Sequence, residues 1–358
     1  MKRIFVFLFC FTNIMLASDH GIYLRTQENI SGSIEEIVTQ ISTNLQSAGY
    51  KILSQREMAV PDLIRKKNDE NCGYRAFLLV SQKSDYTEYV TSFGNRYLVA
   101  AFLKAGIYET GDGIQINIAD PETINRIVFN DLNDSEYDKA ISGTLSYKNN
   151  LISTIHKLKA GEEVQLAHEP VRSAKDLRKA NKDMFMMVGP MTFFRDEDQF
   201  PLIYSEKVDK SMDGVHDFLG KVKKNLTAFT PDNKDVDYQW TPDATDLNWE
   251  LISTVYATDS TAVLLGLSRP RTEALSFKIA GQPREGKENS CPGIDHICAY
   301  PIEVLIYQED DKLMMRSARE MFRMDMYFWD AGKMAFMEYM NMPKMLDKSL
   351  KQALLGNN

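Results

Sequence analysis

The sequence predicts an α+β protein made of two related two-layer α/β domains, each with an antiparallel sheet covered on one face, packed together as an internal pseudo-dimer. Three observations predict it: an internal repeat, a strand and hairpin within each copy, and an amphipathic helix that opens each copy. The repeat is clearest at Ile107-Tyr108-Glu109-Thr110-Gly111-Asp112-Gly113-Ile114, which continues to Phe129, and at Ile306-Tyr307-Gln308-Glu309-Asp310-Asp311-Lys312-Leu313, which continues to Phe328. The two segments align without gaps. Each runs from an apolar strand through an acidic turn into a second strand, which is the pattern of a hairpin. In the first copy the returning strand, Ile114-Gln115-Ile116-Asn117-Ile118, alternates apolar and polar residues with the period of a half-buried strand.

The opening helix of the first copy starts at Ser33-Ile34-Glu35-Glu36, where a serine followed three residues later by glutamate makes a capping box. Its apolar face is Ile34, Ile37, Val38, Ile41 and Leu45, and Gly49 is a natural stop. Ser211-Met212-Asp213-Gly214 opens the counterpart, with the face Met212, Val215, Leu219, Val222 and Leu226. The strand Ala76-Phe77-Leu78-Leu79-Val80 is matched to Ala274-Leu275-Ser276-Phe277-Lys278-Ile279. A closing helix starts near Pro121-Glu122 in one copy and near Ser317 in the other. Pro231 to Asn248 reads as an inserted loop, and Lys157 to Lys182 as a charged linker with some helix. The expected organisation is a leader over residues 1–18, a first domain over 21–155, a linker over 156–183, a second domain over 184–345 and a tail over 346–358.

The leader is read from Lys2-Arg3, the apolar run Ile4 to Phe11, and small residues at Ala17-Ser18. That run is too short for a spanning helix, which takes ~20 residues. The expected location is therefore the periplasm or the outside of the cell. The whole chain carries a net charge of −8, and loss of Lys2 and Arg3 makes it two units more negative. This excludes nucleic acid and anionic membranes as main partners, since both reward clustered positive charge. Cys72, Cys291 and Cys298 remain after export. An odd count in an oxidising compartment allows one intramolecular disulfide and leaves one thiol.

The segments Ala274 to Pro283 and Ile294 to Asp310 resemble the bacterial domain of unknown function (DUF) family 302, with its strand and glycine-proline turn and its apolar strand ending in acidic residues. In the first copy, Ala119-Asp120-Pro121 looks like the family's strand-ending Asn-Asp-Pro. The first copy has Ser81-Gln82-Lys83 in place of the glycine-proline turn, and the second has Ala318-Arg319-Glu320 in place of Asp-Pro. The resemblance implies a small two-layer α/β domain that tends to pair, and it brings no catalytic residues.

Three constellations could carry chemistry. Cys291, His296 and Cys298 offer thiolate and imidazole, which suit zinc or copper. An extended segment after Gly293 would put His296 and Cys298 on one face. The competing reading is a Cys291–Cys298 disulfide, or a bond from either to Cys72. Ten of the eighteen methionines lie between Met314 and Met345, with Met334, Met337 and Met340 at every third position. Thioethers select copper(I), while Met interleaved with Phe322, Phe328, Trp329, Phe336 and Tyr339 also suits an irregular core. Arg269-Pro270-Arg271 could hold a carboxylate or phosphate, or lie in a solvated loop. Phosphate-loop, serine-elbow, His-Glu-x-x-His and Cys-x-x-Cys signatures do not occur. The expected function is that of a non-enzymatic exported protein binding a small ligand or partner in the cleft between its domains. Copper(I) handling and an enzyme of unknown class are the alternatives.

Overall fold

The computed structural model describes residues 19–60, 73–178, 194–197, 199–208, 214–231, 247–281, 291, 293–331, 337 and 341–356. The leader, Ser211 to Asp213 and most of the Pro231–Asn248 loop therefore lie outside the described residues.

Two antiparallel sheets organise the chain, and they repeat one strand order. The first contains β1 (Tyr23–Ile30), β2 (Lys51–Glu57), β3 (Ala76–Gln82), β4 (Leu103–Thr110), β5 (Gly113–Ala119) and β6 (Glu162–Ala167), in the order β2-β3-β4-β5-β1-β6. The second contains β7 (Leu202–Lys207), β8 (Glu250–Tyr256), β9 (Ala262–Ser268), β10 (Ile302–Glu309) and β11 (Lys312–Ser317), in the order β8-β9-β10-β11-β7. Strand for strand, β2, β3, β4, β5 and β1 correspond to β8, β9, β10, β11 and β7. The hairpins align as read from the sequence: Thr110 pairs with Gly113, and Glu309 with Lys312.

Helices follow the same repetition. The first half has α1 (Ile34–Ser47), α2 (Ser84–Thr91), α3 (Pro121–Val128) and α4 (Asp134–Ile155), with a short α5 (Ala174–Arg178) after β6. The second has α6 (Gly214–Ala228), α7 (Pro270–Gly281), α8 (Glu320–Tyr327) and α9 (Met342–Leu355). Ser33 caps α1 by accepting from the Glu36 N–H at 3.4 Å, and the predicted face Ile34, Ile37, Val38, Ile41 and Leu45 is buried. Asp120 caps α3 by accepting from the Glu122 N–H at 2.9 Å, with Pro121 in the first turn. In α8 the capping position is Arg319, which cannot accept. Asp347 of α9 does so instead, taking the Glu320 N–H at 3.0 Å.

Three expectations need correction. Ala274–Ile279 is not a strand but the body of α7, and the true counterpart of β3 is Ala262–Ser268. All seven residues of that strand are buried, so it lacks the alternation that marks a half-exposed strand. Residues expected to form a linker contribute β6, which pairs with β1 at the sheet edge. The expected tail forms most of α9, which packs on α6 and α8.

The two halves are joined through a reciprocal contact. A 3-10 segment precedes the central hairpin in each: Asn95–Ala101 before β4 and Ile294–Ala299 before β10. The first lies against β9 and β10, and the second against β3, β4 and β5. Polar Gln115 and Asn117 of β5 are both buried. Asn117 Nδ2 donates to the Asp295 carbonyl at 3.2 Å. Gly106 is required there, because a Cβ would collide with the Ile297 side chain. At the centre, Lys104 of β4 and Glu303 of β10 hold equivalent places in the two repeats, and they meet. Lys104 Nζ donates to Glu303 Oε1 at 2.8 Å and to Tyr327 Oη at 2.9 Å, all buried. Burial pushes the Glu303 carboxyl up, but Lys104 and Arg323 outweigh it and hold it below the ordinary range.

Removing one member of a buried ion pair leaves an uncompensated charge, at a cost of ~3–5 kcal/mol. Lys104→Met should lower stability by about 3 kcal/mol, the lower end because Arg323 stays near Glu303. Lys104→Met with Glu303→Leu should recover much of that loss. Urea unfolding of the two variants tests this, and a neutral single variant would refute it.

Candidate functional site

Each 3-10 segment is fixed by a glycine with positive φ at its start, Gly94 (125°) or Gly293 (66°). A phenylalanine-x-aspartate after the closing helix, Phe129-Asn130-Asp131 or Phe328-Trp329-Asp330, meets it. These parts correspond residue by residue: Arg96 with Asp295, Tyr97 with His296, Phe129 with Phe328 and Asp131 with Asp330. The fold thus builds one site twice, with different chemistry.

In the first site the Tyr97 hydroxyl donates to Asp131 Oδ1 at 3.0 Å, and its ring lies 4.9 Å from that of Phe129. Burial, then Asp131, pushes the Tyr97 phenol well up. Arg96 and Arg195 stand 3.8 and 3.7 Å from Asp131 Oδ2. These groups border a cavity of about 520 Å³ whose far wall is Tyr307 to Glu309 of β10, in the other half.

In the second site His296 stacks on Phe328, with centroids 5.5 Å apart and planes 4° from parallel. Its Nδ1 lies 2.9 Å from Asp295 Oδ1 and its Nε2 2.8 Å from Asp330 Oδ1. His168, just beyond β6, spans the same two carboxylates. Its Nε2 is 2.8 Å from Asp330 Oδ2 and its Nδ1 3.4 Å from Asp295 Oδ2. The Tyr23 ring presents its edge to both imidazoles, at 5.7 and 5.1 Å. Burial lowers the His296 pKa, but Asp330 and Asp295 outweigh it and raise it to about 9. Burial likewise raises Asp330, and the two imidazoles outweigh it and hold it well below the carboxylate range.

Another buried cluster, His20, Asp120 and Glu122, is already neutralised. Lys148 Nζ lies 2.7 Å from Asp120 and 3.1 Å from Glu122, and Arg126 lies 2.7 Å from Glu122. Burial leaves the His20 pKa lowered.

The residues singled out from sequence fare unevenly. Only His296 enters either site. The segment carrying it is a 3-10 turn and not extended, so His296 and Cys298 do not share a strand face. Cys298 Sγ instead faces the Asn117 carbonyl at 3.7 Å. Burial pushes this thiol up to about 12, and no cluster of three His, Cys or carboxylate ligands among the described residues includes it. The Cys291–Cys298 disulfide does not form: Cys291 is disulfide-bonded, while Cys298 is a buried free thiol. Of the methionines, Met314, Met315, Met326 and Met342 are buried in the core. Met337 is 44% exposed, and Met334 and Met340 lie outside the described residues, so the copper reading gains no geometry. Arg269-Pro270-Arg271 is not a solvated loop. It opens α7 with both arginines buried, and Arg269 bonds Thr272 at 2.8 Å and Ser349 at 3.1 Å over the ring of Trp249.

His168, Asp295, Asp330, Arg96, Tyr97 and Asp131 were not singled out from the sequence. For the two aspartates a signal was available: the gap-free repeat, read to Phe129 and Phe328, needed only two more residues to reach both.

No protein-family model matches the chain, and no curated protein does. Among solved structures, an uncharacterized conserved DUF302 protein from Bacillus stearothermophilus is similar to it at 12% identity. That match covers 38% of this chain and 98% of the other, with a TM-score of 0.30.

In chelator-treated protein the raised His296 pKa stabilises the fold fully below pH 6.5, and that stability is lost as pH rises through about 9. The expected loss is up to about 3 kcal/mol in urea unfolding, and His296→Asn should flatten it. A wild-type profile already flat across this window would contradict the assignment. Cys298 should stay unreactive toward a chromogenic disulfide reagent until the protein unfolds. Rapid modification of the native protein would show that this thiol is accessible.

Proposed function

We propose that this chain is an exported binding protein whose two domains pair as an internal pseudo-dimer and take a small anionic ligand in the Arg96–Tyr97–Asp131 cavity. The observation that carries the reading is the cavity itself: about 520 Å³, between the halves, with charged groups converging on it. Its size falls within the usual range for small-molecule sites, and domain junctions are a common place for them.

Pairing is supported by the reciprocity of the contacts. Each 3-10 segment rests on the other half's sheet, β2 contacts its counterpart β8, and Lys104 meets its counterpart Glu303. Such self-complementary exchange is the hallmark of a two-fold interface. Export is supported by the basic start and apolar run, and by the disulfide at Cys291, which suits an oxidising compartment. Among the described residues, no helix is long and apolar enough to cross a membrane.

Ligand charge follows from Arg96. Its guanidinium is a long ion-pair partner of Asp131, at 3.8 Å, and lines the cavity with Arg195, Glu136 and Glu309; a carboxylate or phosphate ligand would exchange that contact for charge-assisted hydrogen bonds. Binding fits better than chemistry. Burial and Asp131 push the Tyr97 phenol well up, so it does not exchange its proton near neutral pH.

Calorimetric titration with succinate and with inorganic phosphate tests the site. At least one should bind, and Arg96→Ala should weaken it about tenfold or more, the worth of a charge-assisted hydrogen bond. Absence of binding by both probes, or affinity unchanged in Arg96→Ala, would remove the proposal.

A further inference from the structure

We propose that His168, His296 and Asp330 form a binding site for a divalent transition-metal ion, zinc by its donor set, set between the two halves of the chain. The three ligand atoms lie within 4.8 Å of one another. Asp330 presents one carboxylate oxygen to each Nε2, at 2.8 Å in both cases. An ion inserted there would take both Nε2 atoms and one Asp330 oxygen. The ligand separations would open to ~3.3 Å, as tetrahedral bonds of ~2.0–2.1 Å require. Three protein ligands leave a fourth position for water.

The surroundings are those of a metal site. Asp295 lies on the far side of both imidazoles, 2.9 and 3.4 Å from their Nδ1 atoms. A carboxylate behind a ligating histidine fixes the tautomer that aims Nε2 at the ion. Ring contacts with Phe328 and Tyr23 hold His296 in place from two further directions.

Charge balance also suits a cation. Two imidazoles here face two carboxylates, Asp295 and Asp330, and one divalent ion would balance both carboxylate charges. The His20–Asp120–Glu122 cluster lacks this option, because Lys148 and Arg126 already occupy its carboxylates. The equivalent site in the first half also lacks it, with Tyr97 and Arg96 in place of His296 and Asp295. The proposal is independent of ligand binding in that other cavity.

Zinc ion alone is the probe, added to the chelator-treated full chain in competition with a chromophoric chelator. Wild type should bind one equivalent with Kd below about 1 μM and gain several degrees in Tm, as ligand linkage requires. Asp330→Asn and His168→Gln should each weaken binding more than 100-fold. Asp295→Asn should cost about 10–100-fold, as expected for a residue behind the ligands. His20→Gln should leave affinity unchanged. X-ray absorption of the zinc-loaded wild type should show nitrogen and oxygen ligands with imidazole scattering. That spectrum and the wild-type Tm decide the matter even if a variant fails to fold. No wild-type binding at about 100 μM zinc, a sulfur shell at ~2.3 Å, or folded Asp330→Asn with unchanged affinity would each overturn the assignment.

Discussion

The seating of each 3-10 segment on the sheet of the other half is the constraint on which the rest of the structure depends. It buries the outward faces of β4, β5, β9 and β10, which a single two-layer domain would leave in water. It demands Gly106, since Ile297 fills the space a side chain would take. It also orders the chemistry, because both candidate sites hang on these two segments. A short turn with poor internal hydrogen bonding is held in shape here mainly by what it packs against. Neither site would keep its geometry in a half folded alone.

Much of the fold was legible in the sequence because it is written in local patterns. The first helix announced itself through Ser33, Glu36 and its apolar stripe, and the hairpins through gap-free similarity. The missed strand and the mistaken one share one cause, which is burial on both faces. Ala262–Ser268 is apolar throughout and showed no period. Ala274–Ile279 mixes apolar and polar residues and mimicked a strand, yet it forms a helix almost wholly buried in the protein. The polar alternation of β5 correctly marked a strand, but Asn117 meets the other half and Gln115 bonds Tyr108 and Thr110, and both are buried. At the sites the sequence named one residue, His296. Its partners His168 and Asp330 come from remote segments that only tertiary structure brings together. Cysteines and methionines drew attention by their chemistry, whereas the residues that converge are common types whose meaning lies in position.

The two sites show how duplication separates chemistry while conserving geometry. The aromatic pair persists as Tyr97 on Phe129 and as His296 on Phe328, and an aspartate occupies the same corner each time. What changes is the chemistry of the neighbours. Arginines accompany Asp131, whereas a second carboxylate and two imidazoles accompany Asp330. One frame thus carries two different sets of ionisable groups.

The Lys104–Glu303 pair bears on the ancestry and assembly of the chain. In a symmetric homodimer this position would confront itself, lysine against lysine or glutamate against glutamate, in a dry interior where like charges repel strongly. Opposite charges at one structural position are open only to two copies that have become different sequences. Once acquired, the pair acts as a ratchet: neither half can return to partnering its own twin. Two intact chains could still trade halves, because such a crossed assembly preserves every lysine–glutamate contact, so the pair dictates which halves recognise each other but not which molecule supplies them.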